Sequence, residues 1–178
     1  MLFDFEKHRA KMAARSMAPQ SLAERQRDVY ESHRHRVFSV SFYMTGSEIE
    51  AEDLLQGTFI SAFRKAEEPN QATVDGALID HLRSHMLLED DEFVPVAAAE
   101  YAPGRLNILR ADLEEALLCL PARERLVFLL MDVEGYPAKQ VAQLMEMDEK
   151  AVARTVLIAR MRLRQELISA REDGCQAA

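Results

Sequence analysis

Lys150 and Arg154 stand one helical turn apart at the start of a strongly periodic stretch, EKAVARTVLIARMRLRQEL. Cations at i and i+4 share a helix face, and at the leading end of a helix they can reach phosphates or guanine edges in a DNA major groove. Asp53 and Gln56, three residues apart, likewise share a face and offer hydrogen-bonding groups to a partner. The histidines are less informative. His33 and His35 are two apart, and His81 and His85 have the i, i+4 spacing that can hold zinc. No HExxH accompanies them and no cysteine lies nearby, so exposed or internally bonded histidines are expected. No glycine-rich phosphate loop or nucleophile motif occurs, which leaves no enzyme reading and no expected cofactor. Cys119, within the apolar run ALLCL, reads as a packed core thiol, and Cys175 is too distant in sequence to form a CxxC pair with it. That pattern fits a reducing, cytoplasmic setting and argues against a disulfide scaffold.

The net charge of −8 opposes nucleic-acid binding until its distribution is read. Residues 67–100 hold nine acids, among them Asp75 and Asp80, against the single base Arg83. Residues 1–36 and 137–171 are each mildly basic, so only the two ends meet phosphate easily. No apolar run reaches the ~18 residues of a bilayer span, so no membrane insertion is expected. The N-terminus mixes acids and bases and reads poorly as a signal peptide.

The elements that must position these groups are helical. Apolar residues recur from Leu22 to Met44, and Gly46 is placed to end that helix. Ser47 to Glu50 has the pattern of a capping box and opens a helix running to about Ala66. Pro69 and Asn70 break it. A weaker helix follows from about Thr73 to Leu88, interrupted by Gly76. The segment EDDEFVPVAAAEYAPG, with two prolines and an acid run, suits an interdomain linker. Asn107 or Asp112 then opens a helix ending near Leu120, and Pro121 starts the next, which Gly135 closes. A short helix from Pro137 to about Met145, a turn and a long helix from about Glu149 to Ala170 complete the chain. At about 100° per residue, Val152, Val156, Ala159, Leu163 and Leu167 form one core-facing stripe of the last helix, with Lys150 and Arg154 opposite. A short helix, a tight turn and a long helix with basic residues at its start describe a helix-turn-helix.

The expected fold is all-α: two small helical domains joined by an acidic linker, the C-terminal one a helix-turn-helix. The boundaries are an N-terminal extension over 1–21, a helical domain over 22–88, a linker over 89–105, the helix-turn-helix domain over 106–171 and a tail over 172–178.

The stretch LPARERLVFLLMDVEGYPAKQVAQLMEMDEKAVARTVLIARMRLRQEL resembles the C-terminal domain of extracytoplasmic-function (ECF) sigma factors. It carries that family's Leu120-Pro121 start, an arginine at 123 or 125, the Glu134-Gly135 turn, the Val141-Ala142 helix, and the run Ile158-Ala159-Arg160 through Leu163-Arg164 to Leu167. Upstream, Ala51-Glu52-Asp53-Leu54-Leu55-Gln56-Gly57-Thr58-Phe59 is similar to the helix by which the same family docks on RNA polymerase. The resemblance implies a sigma factor without enzymatic activity, with core RNA polymerase, promoter DNA and an anti-sigma factor as partners. It implies polymerase contacts at Glu52, Asp53 and Gln56, and DNA contacts at Lys150, Arg154, Thr155 and Arg160.

The sequence departs from the family where promoter melting is expected. The chain has no tryptophan, and VDGALIDHLRSHMLLEDDE ends in acids where bases are usual. Glu146 replaces the glycine usual in the helix-turn-helix turn, and Asp148 and Glu149 add negative charge beside it. Asp148 is placed to cap the helix. Leu157 and Ile158 lie away from the core stripe and suit a protein contact. An alternative reading is therefore a sigma-like interaction protein that binds polymerase or an anti-sigma factor without efficient melting. Closure of the two domains on each other, masking the DNA face, is a further arrangement the acidic linker permits.

Overall fold

A computed structural model describes residues 21–86, 88 and 109–176. Three helices form the N-terminal domain: α1 (Leu22–Thr45), α2 (Glu48–Lys65) and α3 (Gln71–His85). The C-terminal domain comprises α4 (Arg110–Cys119), α5 (Ala122–Phe128), a π-helical turn (Leu129–Val133), α6 (Ala138–Met145) and α7 (Glu149–Gln176). Among the described residues there is no strand, as an all-α reading requires. The linker expected over 89–105 lies outside the described residues.

Local chemistry sets the helix ends. Ser21 and Glu24 cap α1 reciprocally: the Ser21 hydroxyl accepts from the Glu24 amide, and the Ser21 amide donates to the Glu24 carboxylate at 2.8 Å. Gly46 closes α1 in the left-handed region at φ 72°, and its amide donates to the Phe42 carbonyl at 2.7 Å. A Cβ there would meet the tip of the exposed Leu118 side chain of α4 at 2.8 Å, a contact that side chain can relieve by moving, so the left-handed backbone is the demand the glycine answers. The box expected at Ser47 is half formed. Its hydroxyl accepts from the Glu50 amide at 3.4 Å, but its own amide turns to the Thr45 hydroxyl at 3.2 Å. The tight α1–α2 corner supplies that nearer acceptor. Asn70, expected only to break a helix, caps α3 by accepting from the Thr73 amide at 2.9 Å, and α3 runs through Gly76 without interruption.

Core formation follows the apolar stripes. Val37, Val40 and Met44 of α1 meet Leu54 and Phe59 of α2, and Val74, Leu78 and Leu82 of α3. The same cluster continues into the C-terminal domain through Leu126, Val127, Leu129, Leu130, Val141, Met145, Val152 and Val156. The two domains therefore pack face to face around a shared apolar seam. A smaller cluster unites Ala116, Leu117 and Leu120 with Ala159, Leu163 and Leu167, pinning α4 to the distal half of α7. All five stripe residues of α7 are buried, as their spacing predicts.

Cys119 corrects one expectation: its thiol is exposed. Within ALLCL, Ala116, Leu117 and Leu120 turn inward. Cys119 lies about 200° around the helix from Leu117 and so points to water, although its neighbours in sequence are apolar. An apolar run longer than the buried stripe must leave some members outside, and Leu118 is another.

Candidate functional site

The helix-turn-helix is built from α6 and α7. Val141, Ala142 and Met145 bury one face of α6 against Val152 and Val156 of α7, and small Ala142 permits the close crossing. The turn between them has Glu146 in the left-handed region at φ 56°, the only non-glycine with positive φ among the described residues. Glu146 and Met147 both send their amides back to the Ala142 carbonyl, Met147 at 2.9 Å, which ties off the end of α6. Asp148 then starts α7: its carboxylate accepts from the Lys150 amide at 3.1 Å, and its carbonyl accepts from the Val152 amide at 3.0 Å.

Lys150 and Arg154 are exposed on the first two turns of α7, and Thr155 beside them is half-buried. Arg160 is placed differently. Its guanidinium forms a bidentate pair with Asp132 of the π-helical turn, at 2.7 and 2.5 Å, which raises its pKa above the ordinary arginine value. It is thus held by an internal acid, while Lys150 and Arg154 project outward. Leu157 and Met161 are exposed next to them, so the outward face of α7 carries apolar as well as basic side chains.

The polymerase candidates occupy one face of α2. Glu52, Asp53 and Gln56 are all exposed, flanked by the exposed Ile49 and Ile60, while Ala51, Leu54 and Thr58 pack inward. In the packed arrangement of the two domains this face stays exposed. His81 shares a hydrogen bond with Ser61 at 2.9 Å and packs over Gly57.

A polar cluster inside the domain seam was not legible as a unit in the sequence. Asp75 of α3 is 2% exposed. One of its oxygens accepts from Arg36 of α1, and the other accepts from the Tyr136 hydroxyl at 2.7 Å. The Tyr136 oxygen in turn accepts from Arg36 and, at 2.8 Å, from Gln71. Burial, and then the bond to Asp75, push the Tyr136 phenol up to about 12. The π-helical turn delivers Tyr136 to this position. The Glu134 amide reaches the Leu129 carbonyl, Gly135 turns through φ 74°, and the Tyr136 amide closes on the Leu130 carbonyl, each bond 2.9 Å long. Two further contacts cross the seam. Arg125 of α5 donates to the Met44 carbonyl at 2.5 Å and to the Leu118 and Leu120 carbonyls at 2.6 and 2.8 Å. Arg83 of α3 lies 3.3 Å from Glu146 in the helix-turn-helix turn. A sequence signal for Asp75 existed: it shares its helical stripe with Leu78, Ile79 and Leu82, and a buried acid requires a partner.

Fold and site together define a two-domain helical protein with a helix-turn-helix at its C-terminal end. Residues 29–86 match the family described as Sigma-70 region 2, and residues 110–163 match Sigma-70, region 4. These matches together take in more than half of the chain, which belongs to the sigma-70 family and has the two-region build of its ECF members. The chain is 27% identical over 168 residues to the ECF RNA polymerase sigma factor SigE of Mycolicibacterium smegmatis, covering 85% of this chain and 65% of that relative's length. Its fold is similar to that of the sigma factor RpoE of Bartonella quintana, solved in complex with the anti-sigma factor NepR. There the TM-score is 0.56 at 22% identity, covering 78% of this chain and 91% of the other.

Proposed function

We propose that the protein is an ECF-type RNA polymerase sigma factor acting in the cytoplasm. In this reading it performs no catalysis of its own. Core polymerase is engaged through the exposed face of α2, with Glu52, Asp53 and Gln56 as polar contacts. Promoter DNA is read through the leading half of α7, with Lys150 and Arg154 foremost and Thr155 beside them. Arg160 joins the DNA contacts when phosphate displaces Asp132. The domain boundaries that go with this reading are 22–88 and 106–171, joined by the acidic segment 89–105.

The observation that carries the proposal is the presence of both family regions in order, with Glu52, Asp53 and Gln56 exposed in the first and Lys150 and Arg154 exposed in the second. Regulation by an anti-sigma factor belongs to the same proposal, and the anti-sigma factor bound in the Bartonella structure supports it. No helix among the described residues is long and apolar enough to cross a membrane. Run-off transcription with core polymerase tests the reading, with a promoter-specific transcript as the expected result. If core binding is intact and no such transcript forms, the alternative of a sigma-like interaction protein stands instead. One observation favours that alternative: Asp75, within the stretch that takes the place of the melting segment, is buried in the domain seam.

A further inference from the structure

The seam cluster joins three elements far apart in sequence. Arg36 and Asp75 come from the N-terminal domain, and Tyr136 comes from the C-terminal one. Each polar atom at its centre is used: Asp75 accepts with both oxygens, and the Tyr136 hydroxyl donates once and accepts twice. A cluster so fully paired has one arrangement, because sliding the domains by a single helical step would leave a buried charge without its partner. Arg83 and Glu146 meet at the rim of the same seam, bringing the turn before the recognition helix against α3. A major-groove complex needs that region clear, since DNA backbone flanks the leading end of a recognition helix.

We propose that Arg36, Asp75 and Tyr136 form an interdomain latch that holds the chain closed and keeps the helix-turn-helix turn at Glu146 against α3 of the N-terminal domain. Opening breaks the latch, returns these groups to water and frees the helix-turn-helix turn. The latch itself is read by interdomain distance, independently of transcription; the masking of DNA rests on the DNA-reading proposed above.

The test places spin labels at Glu67→Cys and Glu166→Cys in a full-length Cys119→Ser, Cys175→Ser background and measures the distance distribution between them. The parent should give one short, narrow population. Tyr136→Phe and Asp75→Asn should shift weight to longer, broader distances while helical circular dichroism is retained. Gln71→Ala, which removes only an exposed donor to Tyr136, should widen the distribution to a lesser degree and keeps the test decisive if a buried variant fails to fold. Identical distributions in the folded variants overturn the latch. A second arm titrates a mixed-sequence DNA duplex at low salt. Freeing a minor open population raises apparent affinity in proportion to that population, so Tyr136→Phe should bind about threefold or more tightly. A merely structural role would weaken binding, and unchanged or weaker binding by an opened variant overturns the masking.

Discussion

Glu146 offers a measurement in which backbone strain and charge are separable. It sits at φ 56° in the turn between α6 and α7, and it pairs with Arg83 at 3.3 Å. For a residue with a Cβ, the left-handed region costs roughly 1–2 kcal/mol. Its ion pair is exposed, with the Glu146 side chain 77% accessible, and such pairs contribute about 0–1 kcal/mol. Glu146→Ala removes the pair and keeps the strain, so it should be neutral or destabilise by up to about 1 kcal/mol. Glu146→Gly removes both. After the larger conformational entropy of glycine in the unfolded chain is subtracted, it should exceed the alanine variant by about 1 kcal/mol. For a chain of this size that difference is about 2–4 °C in Tm. Thermal and urea unfolding of both variants measure it, with the urea m-value checking that the unfolded states are comparable. Equal stability of the glycine and alanine variants would refute the assignment of strain to this turn. A glycine variant below wild type by more than about 1 kcal/mol would show instead that the Arg83 pair outweighs the backbone term.

The remaining predictions concern partners, packing and pH. Arg154→Ala should weaken binding to the upstream promoter element by ~1–3 kcal/mol in a titration at fixed salt, and an unchanged affinity would remove that residue from the interface. Asp53→Lys, on an exposed helix face, should leave thermal unfolding within about 0.5 kcal/mol of wild type while reducing core polymerase binding in a pull-down. Ala142→Leu, at the close crossing of α6 and α7, should destabilise by about 1–3 kcal/mol through overpacking, as read from urea unfolding. Tyr136 ties stability to alkaline pH. Its folded pKa of about 12 lies above the ordinary 10, so its contribution is complete below pH 10 and falls as pH rises toward 12. Wild type should therefore lose stability over that interval more steeply than Tyr136→Phe, and parallel pH curves would contradict the buried, neutral phenol.

The fold was legible where one local period dominates. The α7 stripe, Gly46 and Gly135 could be placed because each depends on spacing or backbone conformation within a few residues. The exposed face of α2 was legible for the same reason. What escaped depended on distant partners. Asp75 counted toward an acidic block and Arg36 toward a basic end, yet they neutralise each other across 39 residues of chain. Arg160 read as an available cation until the π-helical turn brought Asp132 to it. Cys119 failed for a different reason: an apolar run gives no rotational phase, and only packing against α7 decides which of its members face inward.

The composition of the seam bears on how such a chain can be both ordered and able to open. An entirely apolar interface would gain from every buried methylene, and on separation it would expose a contiguous apolar face to water. The Arg36–Asp75–Tyr136 cluster changes that balance. A buried ion pair gains little net stability over hydration, because the desolvation it suffers offsets most of its Coulomb attraction. It is nevertheless intolerant of misalignment, since a half-satisfied cluster is far worse than either the paired or the hydrated state. Polar groups in the seam therefore fix its register firmly while adding only modestly to the free energy that holds it shut. On opening, the guanidinium, carboxylate and phenol recover water, which no leucine in their place could do. A partner that binds only the open arrangement needs to supply no more than the free-energy difference between the two states, and a register-specific seam of limited strength keeps that difference within reach of ordinary binding energy.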